Sequence, residues 1–287
     1  MISIGVLFSF FALVLWGVGD FLIQRSVRKF GDWMMIFYID LVGVIMFTPF
    51  VIHTIVPTLL NPTNLLVLII ASIVLLIASV VDFESLKEGK ISVVEPIFAF
   101  EVPVTAVLSY FVIKEAISLN EIMLIVLLIV GIALVSTKSW RHLKIRMEKG
   151  VFLAILTTIA MGASNFIFGF GGRQTDPWII NWFTSVFLAL AAFIYLVANR
   201  QFGMIRNDWR NNKSLIMQVS IYDNLAWLFF TYSFLYIPIT ISTGISESYV
   251  ALAAFLGLIF NKEKLGYHQW VGMIACIIAA VALAFLA

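Results

Sequence analysis

The stretch VPVTAVLSYFVIKEAISLNEIMLIVLLIVGIALV, residues 102–135, decides the fold because a similar stretch recurs 148 residues later. The second copy is VALAAFLGLIFNKEKLGYHQWVGMIACIIAAVALAF, residues 250–285. Each copy reads as an apolar helix with small residues, a charged turn and a second apolar helix. A Lys-Glu pair at the same point of both turns places Glu115 and Glu263 in matching positions. The sequence therefore predicts an internal repeat.

The correspondence between the two halves extends beyond this stretch. The offset of 148 holds from about residue 85 onward and relates, for example, Ile97 to Ile245. Near the start of each half the offset is 145 and gives three further pairs: Gly17 and Gly162, Asp20 and Asn165, Phe21 and Phe166. We predict a first repeat over residues 1–138, a basic linker over 139–149 and a second repeat over 150–287.

The composition is that of a polytopic membrane protein. Of the 287 residues, 62% are hydrophobic and 12% are charged, whereas soluble domains are near half apolar and a quarter charged. The single cysteine, Cys276, excludes an internal disulfide and a multi-cysteine metal site. No metal site and no cofactor is predicted. Apolar windows of about 20 residues predict ten spans: 2–24, 33–55, 64–86, 91–113, 119–138, 149–170, 177–198, 214–236, 240–261 and 267–286.

Five spans fall in each half, and because five is an odd number the second half must cross the membrane in the opposite sense. Backbone groups in lipid must be bonded within their own segment, so the spans are expected to be helices. The predicted fold is an all-α polytopic membrane protein with ten transmembrane helices in two inverted five-helix repeats. Such repeats build transporters whose substrate site lies near the midplane between the halves.

Basic residues are distributed unequally between the two sides of the membrane. All 18 Lys and Arg are assigned to predicted loops, with Lys138 and Lys149 at the edges of the adjoining spans, and 16 of them belong to the odd-numbered loops. The even-numbered loops contain only Lys114 and Arg173. Since positively charged loops remain in the cytoplasm, both termini are expected to lie outside, in a prokaryotic cytoplasmic membrane.

The repeated pattern in residues 102–135 and 250–285, within a 5+5 arrangement, resembles the drug/metabolite transporter superfamily, EamA type. The resemblance covers the whole chain. It implies transport of a small metabolite through a central cavity lined mainly by helices one to four of each half. One chain is a complete 5+5 unit, and a homodimer is compatible with it.

Apart from Glu121 at the edge of the fifth span, eight acidic residues lie inside the predicted spans: Asp20, Asp40, Asp82, Glu84, Glu95, Glu101, Asp223 and Glu247. An ionised carboxylate at the bilayer centre costs about 2.5–3.5 kcal/mol on insertion scales. We therefore expect these groups to avoid lipid, to form no salt bridge within the spans, and to be protonated, hydrated or bound to a cation. Those near helix ends fit ordinary interfacial acids. Glu101, Asp223 and Glu247 lie at mid-depth and fit either buried protonated acids or a substrate or proton site.

Two prolines accompany the acids in VVEPIFAFEVPV, residues 93–104. Pro96 and Pro103 cannot donate a backbone hydrogen bond, so they are expected to free the carbonyls four residues earlier, at Ser92 and Ala99. Irregular backbone at this depth is tolerated where it lines a cavity. Of the two glutamates here, Glu101 is the stronger candidate and Glu95 a candidate for the cytoplasmic entrance.

Aromatic side chains accompany the acids in the cavity-lining helices. A carboxylate beside an aromatic face suits an ammonium ligand, although the same rings can stack an aromatic substrate or face lipid. We predict a substrate-binding or proton-coupling site formed by Glu101, Glu247, Asp223, Asp20, Asn165, Glu95, Trp16, Tyr232, Tyr249 and Trp227.

The predicted function is secondary active transport by alternating access, coupled to protons, of a cationic or zwitterionic small molecule. Amino acids, amines, quaternary ammonium compounds, nucleobases and cationic drugs remain open, and no nucleic acid partner is expected. The alternatives are a facilitative exchanger or uniporter of a neutral or aromatic metabolite and, more distantly, an intramembrane aspartyl protease using Asp20 and Asp223. The chain has no PAL tripeptide and no HExxH or GxSxG motif, so neither a catalytic residue nor an enzyme activity is predicted.

Overall fold

The computed structural model describes residues 3–88, 97–98, 100–136, 149–249, 252 and 266–286, and for residues 20, 21, 135, 136, 151 and 284 it describes only the backbone. The described residues form helices joined by short turns, with no strand among them. The helices in chain order are α1 (Ile4–Phe30), α2 (Asp32–Val51), α3 (Ile55–Leu60), α4 (Pro62–Glu88), α5 (Glu101–Ile113), α6 (Leu119–Ser136), α7 (Lys149–Gln174), α8 (Pro177–Ala198), α9 (Met204–Ser233), α10 (Ile239–Glu247) and α11 (Tyr267–Leu286).

The lengths and composition of these helices fit a lipid bilayer. Among the described helices, α2, α4, α7 (over Phe152–Gln174) and α8 are long and apolar enough to cross a membrane. Helix α1 bends by 45° between Ile4–Gly19 and Leu22–Phe30, and its two parts together make a fifth candidate span. Helices α5, α6 and α11 are apolar and shorter. The protein is therefore a multi-pass integral membrane protein, and its described helices are compatible with ten spans.

Helix ends follow local sequence signals. The Asp176 carboxylate accepts a hydrogen bond from the backbone nitrogen of Trp178 at 2.7 Å and so caps α8. Pro177 occupies the first helical position, where its missing N–H needs no partner. Between α1 and α2, Gly31 has a φ of 86°, a left-handed backbone that glycine adopts without steric cost. The chain can therefore turn from one span into the next through a single residue.

Several helices extend beyond the predicted apolar spans. Helix α1 continues to Phe30, so Arg25 and Arg28 lie in its last two turns, and the prediction that every basic residue lies in a loop was wrong. Helix α9 begins at Met204, but its backbone is non-helical at Asn212 (φ −134°, ψ 21°), so a polar helical segment joins the apolar span at a kink close to the predicted start at residue 214. The apolar windows located the segments that lipid requires, whereas helical hydrogen bonding does not stop at the edge of the apolar segment.

The helices pack in pairs that the two repeat offsets predict. Helix α1 packs on α9 while the corresponding helices α7 and α4 pack on each other, and α2 packs on its counterpart α8. Helices α6 and α11 also contact each other. There the Cys276 thiol donates to the carbonyl of Leu128 at 3.8 Å, and these two residues are themselves 148 positions apart. Contacts between equivalent residues are expected where two inverted repeats meet at a pseudo-two-fold axis.

The helices that follow α4 and α9 break at equivalent positions. Phe100, with φ −76° and ψ 0°, precedes α5. Ser248, with φ −69° and ψ 0°, follows α10 and is related to Phe100 by the offset of 148. Both repeats therefore contain a broken helix with nearly the same backbone geometry at the break.

The carbonyls at the two breaks are hydrogen-bonded in both repeats. The Ile97 carbonyl accepts from the backbone nitrogen of Phe100 (3.1 Å) and from Thr158 Oγ1 (3.0 Å). The equivalent Ile245 carbonyl accepts from the backbone nitrogen (3.2 Å) and the hydroxyl (2.5 Å) of Ser248. These bonds supply the partners that lipid cannot provide.

Pro103 does not produce the break in the way the sequence predicts. It lies in the first turn of α5, where a backbone N–H has no intrahelical partner, so its presence costs no hydrogen bond. Pro96, Ser92 and Ala99 lie outside the described residues, and the expectation about their carbonyls stays a prediction.

The two ends of the bundle differ in charge. We call the end where α1 and α4 end and α7 begins the basic end, and the opposite end the sparsely charged end. At the basic end Lys87 contacts Asp32 (3.4 Å) and Glu84 (3.0 Å), and Lys149 contacts Glu84 (2.7 Å) and Glu88 (3.3 Å). The expectation that no intramembrane acid forms a salt bridge was therefore wrong for Glu84, because α4 and α7 continue past the apolar core and bring lysines beside it.

Candidate functional site

A central cavity of about 100 Å³ lies between the two repeats. Its lining residues from α4, and Ile23 of α1, belong to the halves of those helices nearer the basic end, whereas Trp16 lies near the middle of α1, so the cavity extends from the middle of the bundle toward the basic end. The lining consists of Trp16, Ile23, Ser79, Asp82, Phe83, Leu86, Phe98, Glu101, Met161, Asn165, Asp223, Trp227, Glu247 and Tyr249.

Glu101 enters this cavity as the first residue of α5, directly after the helix break, and it is buried. Asn165 of α7 donates from Nδ2 to Glu101 Oε2 at 3.4 Å. The two helices approach closely because Thr105 Oγ1 donates to the carbonyl of Gly162 at 3.0 Å. A Cβ on Gly162 would lie 2.9 Å from the Glu101 carbonyl oxygen. The glycine therefore permits the contact that places the Asn165 amide on the Glu101 carboxyl.

Glu247 reaches the same cavity from the other repeat. It is the last residue of α10, directly before the break at Ser248, and it is also buried. A helix N-terminus favours negative charge and a C-terminus opposes it. Glu101 and Glu247 therefore line one cavity, but the helix N-terminus at Glu101 favours a negative charge whereas the helix C-terminus at Glu247 opposes it.

Aromatic rings form the wall of the cavity between α1 and α9. The rings of Trp16 and Trp227 have centroids 5.4 Å apart and planes at 84°, and Phe168 packs on Trp227 at 4.7 Å. The equivalent positions in the other repeat hold Met161 and Ser79, which line the cavity between α7 and α4. Two indole rings therefore line one side of the cavity, and the equivalent positions on the other side hold no aromatic residue.

A smaller cavity of about 40 Å³ continues from the central cavity toward α2 and α8. Asp223 and Trp227 are among the residues that line both cavities. The other residues that line the smaller cavity are both apolar and polar, and the polar ones include Asp40, Asn181 and Ser185. Asp223 therefore lies at the junction between the two cavities.

Sequence reasoning missed most of the polar residues of the smaller cavity. Asp40 was recognised as an intramembrane acid but was not included in the predicted site. Asn181 and Asn224 were not noticed, although a carboxamide inside an apolar span carries a similar desolvation cost. In the structure the Asn224 Nδ2 donates to the carbonyls of Ile39 and Ser220, both at 2.8 Å. A search for amides as well as acids within the spans would have found them.

The structure brings together seven of the ten predicted site residues around the central cavity: Trp16, Glu101, Asn165, Asp223, Trp227, Glu247 and Tyr249. Tyr232 lies elsewhere, packed between Phe8 (5.6 Å) and Trp178 (6.0 Å) near the start of α8. Glu95 and the side chain of Asp20 lie outside the described residues.

Helices α1, α9 and α10 are tightly packed at the sparsely charged end. A Cβ on Gly5 would lie 2.8 Å from the Tyr236 Cβ. The Ser9 hydroxyl is hydrogen-bonded to that of Ser242 at 2.9 Å, and Ser242 in turn contacts the Ser233 hydroxyl. These three serines are fully buried, so small residues close this end of the bundle above the central cavity.

Comparisons with known proteins agree with this architecture. The model of the EamA-like transporter family matches the chain twice, over residues 3–137 and 148–285. The tandem match confirms the predicted all-α, two-repeat fold. A solved structure described as "Crystal structure of protein" is similar with a TM-score of 0.77 over 98% of this chain and 96% of the other.

The identity to that solved structure is 13%, so the similarity shows the fold alone. No curated protein matches the chain. Since the family match covers nearly the whole of both repeats, this chain belongs to the EamA-like transporter family of the drug/metabolite transporter superfamily.

Proposed function

We propose that this protein is a secondary active transporter that moves a cationic or zwitterionic small molecule by alternating access, coupled to protons. The observation that carries the proposal is the central cavity, where the buried carboxyl groups of Glu101 and Glu247 meet aromatic rings at two helix breaks. Discontinuous helices that place polar groups near the midplane between inverted repeats are typical of substrate sites in secondary transporters.

The charge of the cavity lining supports a substrate with a positive group. Asp82, Glu101, Asp223 and Glu247 line the cavity, and among the described residues that line it none is Lys or Arg. An ammonium group is attracted both by carboxylates and by aromatic faces such as those of the wall between α1 and α9. A small anion would gain neither attraction, so amino acids, amines and cationic drugs fit the lining better than carboxylates or phosphates do.

The opposite backbone environments of the two glutamates support different roles. Glu101 lies at a helix N-terminus and accepts a hydrogen bond from Asn165, so it is suited to bind the ammonium group as a carboxylate. Glu247 lies at a helix C-terminus, where a fixed negative charge is opposed. We assign the exchange of a proton for the substrate to Glu247.

Alternating access is supported by the unequal packing of the two ends. The cavity lies nearer the basic end, whereas serine contacts between α1, α9 and α10 close the sparsely charged end. With the basic end in the cytoplasm, this conformation faces inward, and both termini lie outside. External labelling of a cysteine placed in residues 139–149 of intact cells would contradict this orientation.

The test is uptake into proteoliposomes of labelled amines and amino acids. Uptake is expected to saturate with concentration, to rise with an imposed pH gradient, and to show counterflow. Linear uptake without counterflow would exclude a carrier. Saturable uptake of a neutral or aromatic metabolite, unaffected by pH, would instead favour the facilitative alternative, for which the aromatic wall alone supplies the binding surface.

Substitutions at the two glutamates test the site itself. We expect Glu101→Gln and Glu247→Gln each to reduce transport of a cationic substrate. The matched control is Glu121→Gln, because Glu121 lies at the start of α6 and accepts from the backbone of Ser118, a contact that glutamine can also make. Normal kinetics in both cavity variants would reject the site, and equal losses in all three would show a general effect of removing a carboxylate.

The protease alternative receives a separate test. Purified protein incubated with a transmembrane peptide should yield no cleavage product. The Asp223→Asn variant, incubated in the same way, should also leave the peptide intact. Cleavage that Asp223→Asn abolishes would favour the protease.

A further inference from the structure

One arginine joins the segments at the sparsely charged end. Arg173 lies in the last turn of α7 and uses three of its nitrogens. Nη1 donates to Glu115 Oε1 at 3.2 Å, Nε to the carbonyl of Phe234 at 2.6 Å, and Nη2 to the carbonyl of Ile237 at 2.9 Å. The planar guanidinium, with several fixed donors, can hold three partners at once, which a lysine cannot do in the same geometry.

Glu115 extends this contact to the start of α10. Its Oε2 accepts from the backbone nitrogens of Ile239 (3.0 Å) and Thr240 (3.4 Å). These are N–H groups of a first helical turn, which have no intrahelical partner and favour a negative charge. Glu115 lies between α5 and α6 in the first repeat, whereas its partners belong to the second. The Arg173–Glu115 pair therefore ties the two repeats together.

The basic end contains a related contact. The offset of 145 relates Arg28 to Arg173, and the offset of 148 relates Leu86 to Phe234. Arg28 Nη2 donates to the Leu86 carbonyl at 3.4 Å, longer than the 2.6 Å between Arg173 Nε and the Phe234 carbonyl. The same arginine-to-carbonyl contact thus recurs at both ends, and it is short at the closed end.

We propose that Arg173 and Glu115 form a latch that holds the sparsely charged end closed, and that Arg28, through its contact with the Leu86 carbonyl, forms the equivalent latch when the basic end closes. The proposal rests on the alternating access proposed above. To open the sparsely charged end, the end of α7 must separate from the turn that holds Glu115 and from the turn between α9 and α10. Arg173 must then release all its partners together, so the latch sets how often this end opens.

Cysteine labelling at a buried position of the closed end tests the latch. Ser9→Cys is introduced in a Cys276→Ala background, because Ser9 is fully buried against Ser242. The purified protein is placed in lipid nanodiscs and reacted with a polar maleimide. Glu115→Gln is expected to raise the labelling rate about tenfold, within the usual range of coupling between two states.

The matched control is Lys114→Gln, which removes the neighbouring charge at the same end and should leave the labelling rate unchanged. Arg28→Gln weakens the latch of the other end and should lower the rate. If Glu115→Gln does not fold, Arg173→Lys replaces it, since lysine keeps the charge but cannot hold both carbonyls, and it should raise the rate by less.

Equal labelling of the parent and the folded latch variant would overturn the proposal, as would an equal rise in Lys114→Gln. A rate that stays the same or rises in Arg28→Gln would overturn the assignment of the second latch. The labelling requires no substrate. Failure of the latch with intact transport would therefore be distinguishable from failure of the proposed function.

Discussion

The broken helix of the first repeat and that of the second share a backbone but differ in chemistry. Phe100 and Ser248 have nearly the same φ and ψ. In the first repeat Glu101 follows the break, at the start of a helix, whereas in the second Glu247 precedes it, at the end of a helix. The internal repeat has kept the geometry that opens a cavity, while the side chains on its two sides have diverged.

The same divergence extends to the walls beside the breaks. Trp16 and Trp227 face one side of the cavity, and their equivalents Met161 and Ser79 face the other. A transporter with identical halves would treat its two conformations alike. The coupling proposed above requires the substrate and the proton to bind with different affinity in the two conformations, because a ligand shifts an equilibrium only by its differential affinity. Unequal halves allow such a difference.

The largest expected effect separates the two glutamates. Glu101→Gln should lower kcat/KM for a cationic substrate about 10- to 100-fold, because a charged hydrogen-bond partner is lost. Glu247→Gln should instead make uptake independent of the pH gradient. The measurement is uptake into proteoliposomes with and without an imposed gradient. Identical behaviour of the two variants would show that the breaks are functionally equivalent.

The next effect compares the two glycines that face the breaks. A Cβ on Gly162 would lie 2.7 Å from the Val104 Cβ. A Cβ on Gly17 would lie 3.1 Å from Cδ2 at the end of the Leu252 side chain. We expect Gly162→Ala to destabilise the fold by about 1–3 kcal/mol and Gly17→Ala by less. Thermal unfolding in detergent measures both. A larger loss for Gly17→Ala would contradict the packing described for α5 and α7.

A smaller effect on substrate binding is expected when a residue of the aromatic wall is replaced by the residue at the equivalent position of the other repeat. Trp16→Met introduces the residue that the second repeat has at the equivalent position, Met161. Loss of a desolvated cation–π contact of about 1–2 kcal/mol corresponds to roughly a 5- to 30-fold increase in KM for an ammonium substrate. Met161→Leu is the control and should change KM little. An unchanged KM in Trp16→Met would remove the aromatic wall from the binding site.

The smallest effect concerns the carbonyls at the breaks. Thr158→Val removes one of two donors to the Ile97 carbonyl and should cost about 1 kcal/mol of stability. Ser248→Ala removes one of two donors to Ile245 and should cost a similar amount. Both are read from thermal unfolding. A negligible effect in only one of them would show that the two breaks are held differently.

Much of the site could be predicted because intramembrane acids are rare and costly. That cost marked eight acids, and their estimated depth then selected Glu101, Asp223 and Glu247, which the structure brings to one cavity. This selection did not include Asp40 in the site, although the structure places Asp40 in the adjoining cavity. Depth estimated from span boundaries assigned Asp40 to the cytoplasmic third, and sequence alone could not show that α2 turns this residue inward.

The error with Glu84 has a related physical cause. Apolar windows in the sequence identify the part of a helix that crosses the hydrocarbon core of the bilayer. The helix itself continues beyond that part for as long as its backbone hydrogen bonds are favourable. Helices α4 and α7 therefore carry Lys87 and Lys149 to positions where both reach Glu84. Whether an acid near a span end is paired depends on neighbouring helices that the sequence does not identify.

The sequence by itself determined the membrane environment, the two inverted repeats and the set of costly polar groups, because composition, an offset of 148 and an odd span count are local or periodic properties. The tertiary structure alone decided which of those groups meet, which end is closed and where Arg173 binds. Lipid is about as apolar as the packed core of the bundle. An apolar helix therefore does not reveal which face meets lipid and which meets protein until its neighbours are in place.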